Sequence, residues 1–129
     1  MSDLVLDASA ILAFINDEAG GDRVRQYLAD RACLASAVNV AEVVARLSDR
    51  GGTDDDIRTI VAGLRIEIIA FDEADAVANG LMRVITKARG LSLGDRACLA
   101  LARKLGLAAV TADRVWEGLL DDVEVDLVR

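Results

Sequence analysis

Leu4-Val5-Leu6-Asp7-Ala8-Ser9-Ala10-Ile11-Leu12-Ala13-Phe14-Ile15 decides how this chain folds. Residues 4 to 7 read as a short buried strand, and the stretch from about Ala8 to Ile15 puts Ile11, Leu12 and Ile15 on one face of a helix. Gly20-Gly21 then breaks the chain. A second helical pattern from Asp22 to Asp30 repeats Val24, Tyr27 and Leu28, and Ala32 to Ala35 is an apolar run of strand length. Strand, helical crossing and strand in this order is the start of a βαβ pattern, whose strands lie parallel.

The same alternation continues to the end. Ser36 is placed to cap a helix over about Asn39 to Arg50, with Val40, Val43, Val44 and Leu47 inward and Gly51-Gly52 ending it. Thr53 caps the next helix. Its first turn holds Asp54, Asp55 and Asp56 at the positive end of the helix dipole, which makes this acidic run structural, and Ile57, Ile60, Val61 and Leu64 form its stripe. Ile66 to Phe71 reads as a third strand, Asp72 to Ala88 as a long helix stopped by Gly90, and Ser92 as the cap of a helix through Leu105 with Ala97, Cys98, Leu101 and Leu105 inward. Ala108 to Thr111 is a fourth strand, followed by a turn or short helix around Arg114 to Leu120 and a last strand around Val123 to Leu127. The expected fold class is α/β: a three-layer α/β/α sandwich around a central, mainly parallel sheet of four or five strands, formed by residues 1–129 as one domain.

Composition narrows the chemistry. The chain is 53% hydrophobic, near the globular average, and holds no apolar run approaching the roughly 18 residues of a membrane span. Met1-Ser2-Asp3 begins no export signal, so a cytoplasmic address is expected, with no membrane partner. Cys33 and Cys98 sit in apolar stretches and read as reduced core thiols. There is no histidine, which removes the commonest zinc ligand and the commonest general base. Any catalysis must use acids, hydroxyls or a bound cation. The net charge of −7 by itself argues against a nucleic-acid partner, unless acids gathered around cations are locally compensated. Lys87, Arg89, Arg96 and Arg114 lie close in sequence to Asp95 or Asp113 and are the candidate basic rim for RNA phosphates.

Four acids stand where apolar patterns begin or end. Asp7 and Asp113 follow strands, and parallel sheets present ligands in the crevice at the carboxyl ends of such strands. Glu42 and Asp95 fall near the starts of helical patterns, so one sheet edge gathers all four. Each has a bland counterpart: Asp7 as a helix cap, Glu42 as a solvated side chain, Asp95 as a helix-start acid, Asp113 as a turn former. Asn39 lies three residues before Glu42 on the same helix face, Glu42 sits among valines where an acid is costly unless paired or metal-bound, and Gly94 before Asp95 lets another group approach closely.

Leu4-Val5-Leu6-Asp7-Ala8-Ser9, Asn39-Val40-Ala41-Glu42, Leu93-Gly94-Asp95 with Ala97-Cys98-Leu99-Ala100, and Val110-Thr111-Ala112-Asp113 with Trp116 together resemble the PIN-domain proteins, across essentially the whole chain. Within them the chain is similar to the small single-domain VapC toxins of prokaryotic toxin-antitoxin pairs. The resemblance implies an endoribonuclease in which Asp7, Glu42, Asp95 and Asp113 hold Mg²⁺ or Mn²⁺, Asp7 and Asp95 most firmly, with Ser9, Asn39 and Thr111 in support. It also implies a VapB-like antitoxin partner, an RNA substrate, a homodimer and a higher assembly with the antitoxin. Mg²⁺ suits such a set because it prefers oxygen ligands and keeps several waters, and a bound cation lowers the pKa of water and offsets charge on phosphate. Trp116 is read as core, with base stacking as the alternative.

Two other acid-bearing doubly wound classes fit less well. A phosphoacceptor receiver wants an acid pair near the first strand and a lysine after a late one, and a haloacid-dehalogenase-type phosphatase wants an aspartate where this chain has Ser9. The remaining rival is a catalytically silent antitoxin- or RNA-binding module whose acids only cap helices.

Overall fold

The computed structural model describes residues 3–129. Met1 and Ser2, which open the stretch read as lacking an export signal, lie outside the described residues.

The strands are β1 (Leu4–Leu6), β2 (Cys33–Ser36), β3 (Ile66–Ile69), β4 (Ala108–Thr111) and β5 (Val125–Leu127). The helices are α1 (Ala8–Ile15), α2 (Gly21–Asp30), α3 (Ala37–Asp49), α4 (Asp54–Gly63), α5 (Glu73–Thr86) and α6 (Leu93–Leu105), with 3-10 turns at Lys87–Arg89 and Arg114–Trp116. All five strands are parallel, in the order β3-β2-β1-β4-β5. The fold is therefore a three-layer α/β/α sandwich, with the full five strands.

Alternation along the central strands builds two cores. Leu4, Leu6 and Val110 point to the layer that holds Ile11, Val24, Val43, Leu47 and Ile57, while Val5 and Ala109 point to the layer of Met82, Cys98, Leu99, Leu101 and Trp116. Successive strand residues face opposite sides of a sheet, so a strand buried on both faces must be apolar throughout, as β1 is. Cys33 and Cys98 are free and buried in these cores, and burial pushes the Cys33 thiol up to about 11 and raises the Cys98 thiol well above the ordinary range.

Strand order places the functional end of the sheet. The chain moves from β1 outward through β2 to β3, then crosses back to lay β4 on the other side of β1. Between β1 and β4 the winding reverses, and a crevice opens beyond the carboxyl ends of strands at such a point. Asp7 and Asp113 stand on either side of it, immediately after β1 and two residues after β4.

Two inward stripes differ from the sequence reading. Ile60 of α4 is 36% exposed and Leu105 of α6 42%: α4 meets the core through Ile57 and Val61, and Leu105 is the last residue of its helix. In α5 the buried positions are Asn79, Met82 and Thr86, while Val77, Leu81, Val84 and Ile85 face outward. Among the described residues no helix is long and apolar enough to cross a membrane.

Candidate active site

Three of the four acids are held by the helices they begin. Asp7 is the N-cap of α1, its Oδ1 accepting from the Ala10 backbone N–H at 2.8 Å. Asp95 completes a capping box on α6: the Asp95 N–H donates to Ser92 Oγ at 3.2 Å and the Ser92 N–H donates to Asp95 Oδ2 at 2.9 Å. Asp113 caps the Arg114–Trp116 turn through the Val115 N–H at 3.0 Å. The bland reading of these acids is thus correct as far as it goes. Capping uses part of each carboxylate and fixes its direction, and the helix starts converge on the crevice.

Asp7 is the most constrained. Thr111 Oγ1 donates to its Oδ2 at 2.6 Å, and Ser9 Oγ lies 2.8 and 2.9 Å from the two carboxylate oxygens. Thr111 Oγ1 also accepts from the Asp113 N–H at 3.0 Å, and Ser9 Oγ from the Ala112 N–H at 2.9 Å, so two hydroxyls tie the end of β1 to the end of β4. Burial raises the Asp7 carboxyl to about 6 despite these hydrogen bonds, with the nearby Asp95 charge adding to the rise.

Glu42 comes in from α3. Asn39 Nδ2 donates to Glu42 Oε1 and to the Gly94 carbonyl, both at 3.0 Å, which ties α3 to the first turn of α6. A Cβ on residue 94 would overlap the Glu42 carboxylate, so glycine is what admits Glu42 there. Burial raises the Glu42 carboxyl, and Asp95 adds to this. The Asn39 Oδ1 atom is buried and accepts no hydrogen bond.

Together these residues line a cleft of about 300 Å³ walled by Asp7, Ser9, Asn39, Glu42, Asp95 and Asp113, with Ala8, Leu12, Arg46 and Ser92 completing it. Among the described residues no lysine or arginine forms an ion pair with any of the four acids. Nor do any three acids converge into a complete metal cage. The cleft offers hard oxygen donors from four carboxylates, one of them fully buried, an acceptor without a partner at Asn39, and Arg46 as the one cation on its wall, near enough to favour the Glu42 carboxylate but not ion-paired with it. That set fits Mg²⁺ or Mn²⁺, since Mg²⁺ takes one or two carboxylates and completes its shell with water and phosphate oxygens.

The expected basic rim needs correction. Arg96 is buried, donating to the Asn79 carbonyl, Asn79 Oδ1 and the Leu91 carbonyl at 3.2 Å each, because its side chain turns back under α5 instead of toward the cleft. Arg96 is therefore a core tether and not an RNA contact. Lys87, Arg89 and Arg114 are exposed but do not line the cleft. Arg89 donates to the Val115 and Glu117 carbonyls at 3.0 and 2.7 Å and so props the turn that Asp113 begins. Trp116 is fully buried, which removes base stacking. Arg46, one helical turn after Glu42, is the basic side chain that reaches the cleft wall. The sequence reading passed over it, although its four-residue spacing from Glu42 marks the shared face.

An all-parallel sheet with a carboxylate-walled crevice at its switch point defines the class, an α/β protein with an acidic cleft. The PIN domain model matches residues 4–119, and the chain belongs to the PIN domain family. Among solved structures it is similar to the DNA-bound VapBC of Salmonella typhimurium (TM-score 0.74, 18% identity, 100% of each chain covered). It is also similar to VapBC2 of Rickettsia felis bound to a promoter DNA fragment (TM-score 0.74, 14% identity, covering 98% of this chain and 99% of that one). VapC20 of Mycobacterium tuberculosis, a sarcin-ricin loop cleaving toxin, superposes with a TM-score of 0.71 at 17% identity, over 86% of this chain and 90% of that one. Comparison with curated proteins finds no match.

Proposed function

We propose that this protein is a Mg²⁺- or Mn²⁺-dependent endoribonuclease toxin of the VapC type, neutralised in the cytoplasm by a VapB-like antitoxin. The observation that carries the reading is the single cleft walled by Asp7, Glu42, Asp95 and Asp113, at the switch point of a PIN fold. Asp7 and Asp95 are the principal ligands, with Glu42 and Asp113 completing the set. A divalent cation, when bound by these residues, would lower the pKa of water and offset charge on the scissile phosphate, in a chain that has no histidine to act as base. The remaining work is positioning. Thr111 and Ser9 hold the Asp7 carboxylate, Asn39 holds Glu42, and Ser92 holds Asp95.

Partners follow from the same features. The VapBC complexes among the similar folds support an antitoxin, and a cleft of unpaired carboxylates attracts a basic side chain from such a guest. The outward face of α5, with Leu81 69% and Val84 84% exposed, supports a homodimer, because an apolar stripe of this kind on a surface helix is costly to leave in water. A catalytically silent antitoxin- or RNA-binding module is the second reading, favoured by the helix-capping roles of Asp7, Asp95 and Asp113.

The deciding experiment is cleavage of total cellular RNA by the purified protein with Mg²⁺ or Mn²⁺, beside an EDTA control and Asp95→Asn. Discrete metal-dependent fragments that vanish in the variant are expected. Identical RNA profiles in every lane would leave the silent module standing.

A further inference from the structure

RNA presents a row of phosphates, and four acids at one point of the cleft repel every phosphate except one that shares their cation. A nuclease site of this kind needs positive charge beside the acids. Lys87, Arg89, Arg96 and Arg114 do not line the cleft, whereas Arg46 does. Asn39, Glu42 and Arg46 succeed one another along α3 at spacings of three and then four residues, so amide, acid and cation form one ridge on the cleft wall. The residue is exposed, and among the described residues it forms no ion pair or side-chain hydrogen bond; its charge acts on the Glu42 carboxylate one turn away without engaging its donors. An arginine fork matches two phosphate oxygens at once.

We propose that Arg46 binds the backbone phosphate adjacent to the one cleaved and so sets the path of the RNA strand along α3. This rests on the ribonuclease reading of the same cleft. Arg46 is a substrate-binding residue, not a metal ligand.

The test uses a labelled single-stranded oligoribonucleotide of mixed sequence, titrated with Mg²⁺ present into Asp95→Asn protein carrying Arg46, Arg46→Ala or Arg46→Lys. Loss of one charged phosphate contact weakens binding about tenfold. It also reduces the slope of log affinity against log salt by about 0.7. Arg46→Lys keeps the slope and loses part of the affinity, because its charge remains but its fork does not. Mg²⁺ affinity, followed by thermal shift in otherwise wild-type protein with the metal alone, holds or rises in Arg46→Ala; a fall would make Arg46 a support of the metal site and overturn the assignment. Equal RNA affinity and salt slope with and without the arginine overturn it too, whatever the acids do. RNA binding that depends on Arg46, in a protein whose wild type cleaves no RNA, keeps Arg46 as a contact to the RNA backbone and removes the ribonuclease reading, and with it the place beside a cleaved phosphate. A wild type that neither binds nor cleaves RNA with Mg²⁺ present removes both.

Discussion

Gly94 and Glu42 share one volume: the space a Cβ on residue 94 would fill is held by the Glu42 carboxylate, which Asn39 fastens from below. Gly94→Ala improves helix propensity by up to about 1 kcal/mol, yet it must push Glu42 aside. The displaced atoms end a flexible side chain, so the fold survives. If Glu42 serves the proposed metal site, metal-dependent cleavage should fall by about 10- to 100-fold while the melting temperature stays near wild type. Full cleavage by this variant would show that Glu42 is not needed where it stands.

Thr111 has no exposure and bridges Asp7 to the Asp113 backbone. Thr111→Val keeps the shape and strands these partners, at a cost of about 1–3 kcal/mol in urea unfolding. Thr111→Ser retains the hydroxyl and should recover most of that loss. Equal stability of the valine and serine variants would count against the bridge.

Asp7 makes stability depend on pH. Its carboxyl is raised in the folded protein to about 6 from an ordinary 3.8, so folding favours the protonated form. The stabilisation this gives is complete below the unfolded value, about half remains near pH 5, and it is lost as pH rises through 6. The full span is about 3 kcal/mol. Metal-free wild type should therefore lose stability between pH 5 and 7.5 relative to Asp7→Asn, and Mg²⁺ should stabilise wild type more above pH 6 than below it. Parallel unfolding curves for the two proteins across that range would contradict the buried-charge account.

Arg96 and Arg114 separate core from surface. Arg96→Ala strands the Asn79 and Leu91 carbonyls and empties a buried site, so its melting temperature should drop by a shift equivalent to about 2 kcal/mol or more. Arg114→Ala, on an exposed side chain, should melt within about 0.5 kcal/mol of wild type. Circular dichroism melts of both decide it.

The apolar face of α5 is tested by Leu81→Glu. Placing a charge on a side chain 69% exposed costs the single chain little, but it buries an unpaired acid in any interface formed there. Sedimentation should show wild-type dimers and variant monomers of equal secondary structure. A dimeric variant would move the interface elsewhere.

Much of this was readable along the chain. β1, α1 and β4 follow from short apolar runs and helical spacing, with Asp7, Ser36, Thr53 and Ser92 found at the caps where their side-chain chemistry suits them. Gly94 as a point of close approach was also legible, because a glycine inside a strong helical pattern costs stability unless something needs the room. Arg96 was misread, since a charged residue beside a site acid looks solvent-facing in sequence. Its burial depends on Asn79, which only the packing of α5 against α6 brings near.

The sequence by itself determined the alternation of strands and helices, the acids and hydroxyls available, and the absence of histidine, because periodicity and composition act locally. Only the tertiary structure decided that β4 returns to the far side of β1. That crossing joins Asp7 to Thr111 and faces Glu42 toward Gly94, contacts separated by 104 residues in the first case. Arg46, and not Arg96, reaches the cleft for the same reason: which helix face looks into the crevice is settled by how the layers pack on the sheet.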